Sequence, residues 1–478
     1  MIKKIISIIT AFIMSFAGYP LSFLPRNTDK EFIIGTGEFS QNTVFIDGAS
    51  TEYALDSESA FANGTLTFDD KITLSFDGCE CDWFNYFGIE YSADCYIRGE
   101  ITYAKNKSVF SEEFFLEPAE KGEFFSFIDG LFDNVKANRL ISVSFVPLNS
   151  ETAVLSLDGI SFFNREIPDR EVYIQNENIR IGADLTWGGA LSYFEDLDSD
   201  VETVRVDGQI KVDSKASERY GKKALSKNVN LINRNDSGRL VQQSYYGSNG
   251  SSGDGYVPGI FMDNVWNYNP VQGGNQYNES SKIVDLRVTD NVLYVKCRPL
   301  DWALPKENIS PSYMEATYTL DGKLLKAECR FVDFSGYEPY YTSQEIPAFY
   351  CIEPLNRYVY YSGDNAWSDE PLTVIPDLIF WPDAGYPNFI SKEHWSGFIG
   401  EFDDSFGMGV YVPDETVFLS GVFDRGNCKD KDPSKENPTS YIAVIKFRVF
   451  QSFDPYSYEF YLTSGDSSEM RETFLTLG

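Results

Sequence analysis

The sequence predicts an all-β protein, and three observations carry that prediction. No long segment places apolar residues at the 3.6-residue spacing of an amphipathic helix, whereas short runs alternate apolar and polar residues. Phe and Tyr number 38 and 30 in a chain of 478 residues, and both types favour strands. Gly, Asn and Asp turns punctuate the alternating runs, as hairpins require.

Taken in order, Met1–Tyr19 reads as an export signal. Lys3 and Lys4 open it, the apolar run Ile5–Phe16 is too short to span a bilayer, and Ser15-Phe16-Ala17 fits a small-x-small cleavage site. Residues 28–165 have the strand density of a β-sandwich or jelly roll. Lys71–Asp77, Ile141–Val146 and Ala153–Asp158 alternate cleanly, with a turn at Asn63-Gly64 and a short helix expected near Phe124–Phe132. Trp83, Phe84, Tyr86 and Tyr91 are read as core and interdomain packing, with a sugar platform as the alternative. The linker Asn164–Asp169 follows. Residues 170–478 contain no second linker and predict one large two-sheet domain. Its strands include Thr203–Asp207, Val292–Lys296, Glu315–Leu320 and Tyr441–Val449. Asp207-Gly208 marks a turn, Ser214–Ala224 a short helix, and Asp321-Gly322 a hairpin joining Tyr318–Leu320 to Lys323–Val332.

Charge and composition exclude several functions. A formal net charge of −32 repels phosphate backbones and anionic bilayers, so nucleic acid is a poor partner and a neutral ligand is favoured. The single histidine, His394, removes multi-histidine metal sites and makes a Ser-His-Asp or Cys-His unit improbable. Seven cysteines (79, 81, 95, 297, 329, 351 and 428) form no paired C-x-x-C knuckles and read as small buried residues. Asp196-x-Asp198-x-Asp200 hints at a calcium loop, but Val201 replaces the glycine of its sixth position, so a solvated turn is expected. No cofactor and no metal is implied. Proton transfer is left to carboxylates and tyrosines.

Polar clusters against aromatics fill the second domain. Ala183–Ala190 ends a strand in a Gly-Gly turn. Asn233–Gly247 holds Asp236, Arg239, Gln242, Gln243, Tyr245 and Tyr246, and alternation puts Gln243 and Tyr245 on one side, Gln242 and Ser244 on the other. The loop Gly247–Ser281 carries Tyr256, Trp266, Asn267, Tyr268, Asn269 and Gln272. A loop of that length is usually functional or disordered, and its aromatics argue against disorder. Leu300-Asp-Trp302 precedes Glu315. Glu345 stands two residues before Pro347, at the expected mouth of an apolar strand. Lys392–Phe398 contains Glu393, His394 and Trp395. Planar amides and guanidinium groups for hydroxyls, with aromatic faces for ring C–H groups, suit a sugar.

Gly188-Gly189-Ala190, the run Asp236-x-Gly238-Arg239-x-x-Gln242-Gln243-x-Tyr245-Tyr246, Glu393-x-Trp395 and Gly407-Met-Gly-Val-Tyr411 together resemble the galactose-mutarotase-like superfamily over about Glu171–Gly478. The resemblance implies a β-supersandwich of the kind found in sugar epimerases, glycosidases and polysaccharide lyases, with Arg239 against sugar hydroxyls and Gln242 where the epimerases carry Asn. Those epimerases also use histidines, which this chain lacks beyond His394, so a simple aldose mutarotase is disfavoured. The expectation is an exported glycoside hydrolase acting on a poly- or oligosaccharide. Glu345 and Asp301 are the expected carboxylate pair, with Glu315, Asp236 and Glu393 in reserve. Arg239, Gln242, Gln243, Tyr246, Trp266, Asn267, Gln272, Trp302, His394 and Trp395 would position the sugar. The alternatives are a non-catalytic glycan-binding protein, and a lyase or epimerase using Tyr245, Tyr246, Arg239 and His394.

Overall fold

Alternating runs can bury only one face each, so they stack as layered sheets. A computed structural model describes residues 65–76, 83–131, 137–376, 378, 388–402, 404–423 and 438–478; residues 32–33, 43–46, 49–55, 60–62 and 80–82 are described by their strand pairing alone, and no side chain is described at 158, 159 and 161. The export signal at Met1–Tyr19, the turn at Asn63-Gly64, Cys79, Cys428 and the Cys81 side chain lie outside the described residues. Cys95, Cys297, Cys329 and Cys351 are buried and unbridged. Among the described residues no helix is long and apolar enough to cross a membrane.

The first layers form a sandwich of antiparallel strands. Ile97–Lys105, Ser108–Leu116, Ala137–Pro147 and Ile72–Phe76 lie on one side. Tyr86–Ala93, Ala119–Phe127, Ala153–Phe163 and Thr65–Phe68 lie on the other. Ile72, Leu74, Ile101 and Phe145 meet Phe87, Ile89, Leu155 and Leu157 in the core between them. The helix expected near Phe124–Phe132 is instead the end of the Ala119–Phe127 strand, followed by a turn with positive φ at Asp129 and Gly130. Its unbroken apolar run has a physical cause. Phe124 packs into the sandwich core, and Phe125 and Phe127 pack into the neighbouring one, so both strand faces are covered and alternation is lost. Phe84, Tyr86 and Tyr91 are buried, and Trp83 is exposed.

Two large antiparallel sheets follow. In one, Glu171–Gln175, Ile179–Asp184, Ala190–Asp196, Val241–Ser244, Tyr340–Ile352, Thr439–Phe450, Val417–Phe423 and Asn388–Ile390 are neighbours in that order. In the other the order is Lys282–Val288, Val292–Arg298, Ser312–Asp321, Leu324–Asp333, Tyr456–Ser464, Gly407–Tyr411, Trp395–Gly400, Leu355–Tyr360 and Thr373–Ile375. Ile181, Phe194, Val241, Phe349 and Ile442 from the first face Val295, Met314, Phe331, Phe398 and Leu462 from the second across a common core. The hairpin at Asp321-Gly322 forms as expected, pairing Asp321 with Leu324. The helix expected over Ser214–Ala224 shrinks to Ala216–Tyr220, closed by Gly221 at φ 59°.

The outer face of the second sheet is covered by the amino-terminal sandwich. Tyr313, Val332 and Val284 join the sandwich core. Three cations of that face are paired across the junction: Arg330 with Glu117, Lys282 with Glu112 and Arg298 with Glu113. The Tyr86 hydroxyl donates to Asp285 Oδ1 at 2.7 Å. Among the described residues, this leaves the outer face of the first sheet as the open one.

Candidate functional site

A cleft of ≈ 1540 Å³ lies on that open face. Its floor depends on a register shift. Gln242 pairs with Ala348 but Ser244 with Glu345, and on the other side Glu345 pairs with Ile445 but Ala348 with Ala443. The Tyr340–Ile352 strand therefore carries one extra residue against both neighbours. A bulge of this kind reverses strand alternation. Glu345 before it and Ala348 and Tyr350 after it consequently all line the cleft, while Ile346 and Phe349 enter the core. Glu345 thus sits within a thirteen-residue strand, where the sequence suggested a strand mouth.

The Glu345 carboxyl is hydrogen-bonded by the Tyr246 and Tyr441 hydroxyls, and Tyr350 stacks on Tyr441 with ring centroids 4.5 Å apart. Burial raises the Glu345 pKa and outweighs those two hydrogen bonds, which favours the protonated acid. Burial, followed by the Glu345 charge, also raises Tyr246, Tyr350 and Tyr441, so these phenols stay protonated donors.

One wall is aromatic. Phe261 packs edge-on against Trp266 at 5.0 Å and against Trp302 at 5.5 Å. The Trp266 indole N–H donates to Asn269 Oδ1 at 3.1 Å, and Asn269 Nδ2 donates to Ser244 Oγ at 3.1 Å, which fixes the indole against the floor. Phe261 belongs to a hairpin of Ile260–Phe261 with Asn264–Val265. Its two turn residues, Met262 and Asp263, both have positive φ, the geometry that matches strand twist in a two-residue hairpin. Gln276 Nε2 braces this hairpin by donating to the Ile260 and Ala303 carbonyls.

A second wall, packed against Trp302, is the turn Asp236–Arg239. Asp236 Oδ1 accepts from the backbone N–H of Gly238 at 3.0 Å and of Arg239 at 3.1 Å, and Oδ2 pairs with the Arg239 guanidinium. Gln242 holds the turn in place, donating to the Ser237 and Gly238 carbonyls and accepting from Gly273 N. Gly238 lets the turn approach the indole closely: a Cβ there would stand 2.7 Å from the Trp302 ring.

Of the residues singled out in the sequence, the fold brings Glu345, Asp236, Arg239, Gln242, Tyr246, Trp266 and Trp302 to the cleft. The rest lie elsewhere, each for a definable reason. Asp301 is buried beside the cleft and accepts from the Tyr256 hydroxyl at 2.9 Å, pinning the long loop; burial pushes its carboxyl up to about 6. Glu315 is on the far face of the second sheet. Burial would raise it, but Lys296, Arg330 and the Tyr294 hydroxyl together hold it below the usual range. Gln243 faces the core, donating to the Glu315 carbonyl, as alternation against Gln242 predicts. Gln272 is buried against Gly188. Asn267 is half-buried and is not a cleft-lining residue. Glu393 is fully buried and pairs with Arg471, which docks the helix Ser467–Leu475. His394 Nδ1 lies 3.0 Å from the Glu415 carbonyl, and Trp395 is packed on Phe474. Asp196 and Asp198 are engaged by Ser464 and Asn178. Tyr350, Tyr441, Phe261 and Met262 line the cleft without having been singled out. The first two would have followed from alternation had the bulge been known.

No family model matches the sequence, and no match was found among curated proteins. Solved structures do resemble it. A galactose mutarotase related enzyme from Lactobacillus acidophilus is 11% identical with a TM-score of 0.33, covering 62% of this chain and 98% of that one. A 4-alpha-glucanotransferase from Thermococcus litoralis is 10% identical with a TM-score of 0.30, covering 63% of this chain and 38% of that one. A family 29 carbohydrate-binding module is 6% identical with a TM-score of 0.21, covering 29% of this chain and 94% of that one. At those scores the likeness carries no functional argument. The functional reading rests on the residues of the cleft.

Proposed function

We propose that the cleft binds a neutral carbohydrate. The observation that carries this reading is the pairing of an aromatic wall, Phe261, Trp266 and Trp302, with a floor and second wall of phenols, amides and one arginine. Aromatic faces take the C–H surface of a pyranose, and directional donors and acceptors take its hydroxyls. The net charge of −32 favours a ligand without negative charge. Neighbours named as sugar enzymes and a carbohydrate-binding module are in keeping with this reading, without being its warrant.

Hydrolysis is the second reading, favoured by one observation: the raised pKa of Glu345 suits a general acid. A hydrolase also needs a second carboxylate across the scissile bond. Among the described residues, Asp236 is the other acid lining the cleft, and both its oxygens are engaged by Arg239 and its own turn. Binding is therefore the better-supported function. Titration of the purified protein with a panel of neutral oligosaccharides tests it. Trp266→Ala is expected to weaken binding about tenfold, the worth of one well-placed aromatic contact. A protein that binds none of the panel would refute the reading. Release of reducing sugar by the wild type but not by Glu345→Gln would establish hydrolysis instead. We propose further, from the reading of Met1–Tyr19 as an export signal, that the protein acts outside the cytoplasm, and the mature amino terminus of secreted material tests that.

A further inference from the structure

The sheet face that floors the cleft continues beyond Glu345. Alternation puts Tyr341, Ser343 and Glu345 on one side of their strand, and Ile445, Phe447 and Val449 on the same side of the next. The register pairs Glu345 with Ile445, Ser343 with Phe447 and Tyr341 with Val449. Tyr341 and Phe447 are 66% and 60% exposed, with ring centroids 6.2 Å apart and planes inclined by 31°. Four residues of strand separate Glu345 from Tyr341, about 13 Å at a rise of ~3.3 Å per residue. That is more than one sugar ring fills. The alternate residues Lys446 and Arg448 are turned to the other face, where they meet Glu415 and the Tyr456 ring. Beyond Glu345, none of the five residues Tyr341, Ser343, Ile445, Phe447 and Val449 carries a formal charge. Side chains of this size, clustered and exposed, mark an interaction surface.

Resting on the reading of the cleft as a sugar site, we infer that Tyr341 and Phe447 form an outer platform for further units of the same glycan, so that the ligand is a neutral chain running out of the cleft past Glu345. Continuity of one sheet face decides the occupant: a sugar seated against Glu345 and extended along the strand passes over these two rings. The alternative occupant is a second copy of this chain on the same rings.

The test compares cellohexaose, mannohexaose and maltohexaose with their trisaccharides by calorimetric titration, on the wild type, on the double variant Tyr341→Ala/Phe447→Ala and on Trp266→Ala. Both platform residues are exposed, so the double variant is expected to fold, and its melting temperature checks this. The platform predicts that the wild type prefers a hexasaccharide to its trisaccharide. The double variant then loses about tenfold on the hexasaccharide and nothing on the trisaccharide, while Trp266→Ala weakens both. Equal affinity for both lengths, unaffected by the double variant but reduced by Trp266→Ala, overturns the platform and leaves the cleft reading standing. Failure of every sugar to bind overturns both. Concentration-dependent dimerisation lost on Phe447→Ala, with no length preference, assigns the rings to self-association and also overturns the platform.

Discussion

Glu345 and Asp301 are both raised by burial, yet only one can meet a ligand, and their pH behaviour makes the difference measurable. For a carboxyl with a raised folded pKa, both states are protonated at low pH. As pH climbs past the unfolded value, the unfolded chain gives up a proton that the folded chain retains, so stability falls. For Asp301 the window runs from 3.8 to about 6, a loss of up to about 3 kcal/mol. Asp301→Asn is expected to abolish that slope, read as the difference in unfolding free energy between pH 4 and pH 7; an unchanged slope would contradict it. Glu345→Gln is expected to gain stability relative to the wild type at pH 8 and to lose that gain below 4.5, the ordinary glutamate value, with melting temperature as the readout. A ligand that hydrogen-bonds the neutral acid should raise the Glu345 pKa further, with no such coupling at Asp301. Residue identity marked both acids as candidates. It carried no sign of which face each would occupy, because burial and partners such as Tyr256 are set by segments distant in sequence.

At the scale of elements, alternation was a sound guide wherever one face was solvated. It placed the Asp321-Gly322 hairpin and separated Gln242 from Gln243. It failed at Phe124–Phe127, where both faces are covered, and at Glu345, where one extra residue reverses the pattern. Glycines show the same division between local and remote causes. Gly188 has φ 58°, and a Cβ on it would lie 2.0 Å from the Gln272 carbonyl oxygen. Gly188→Ala is expected to cost about 2 kcal/mol or more, through a left-handed backbone and a backbone clash. Gly238 has no such backbone demand; its neighbour is the Trp302 ring. Gly238→Ala is therefore expected to leave the melting temperature nearly unchanged and to weaken sugar binding by displacing the indole. If Gly238→Ala bound as tightly as the wild type, Trp302 would not be part of the sugar wall.

Across the whole molecule, the two-sheet layering was legible from strand density, but the way the amino-terminal sandwich covers the second sheet was not. Glu315 looked like a catalytic acid in sequence because its partners Lys296 and Arg330 sit on neighbouring strands and Glu117 comes from the other sandwich. Arg330→Met removes the cation shared by Glu117 and Glu315. Since Arg330 is a third exposed, solvent screening reduces the cost to about 2 kcal/mol, read by calorimetry. The junction it serves also gives the molecule a back and a front. With one broad surface occupied by the amino-terminal layer, a partner, a tag or a solid support attached to the far side of that layer is carried behind the sandwich. The open surface is then presented outward, so immobilisation through the amino-terminal sandwich is the orientation in which ligand capture should be least obstructed.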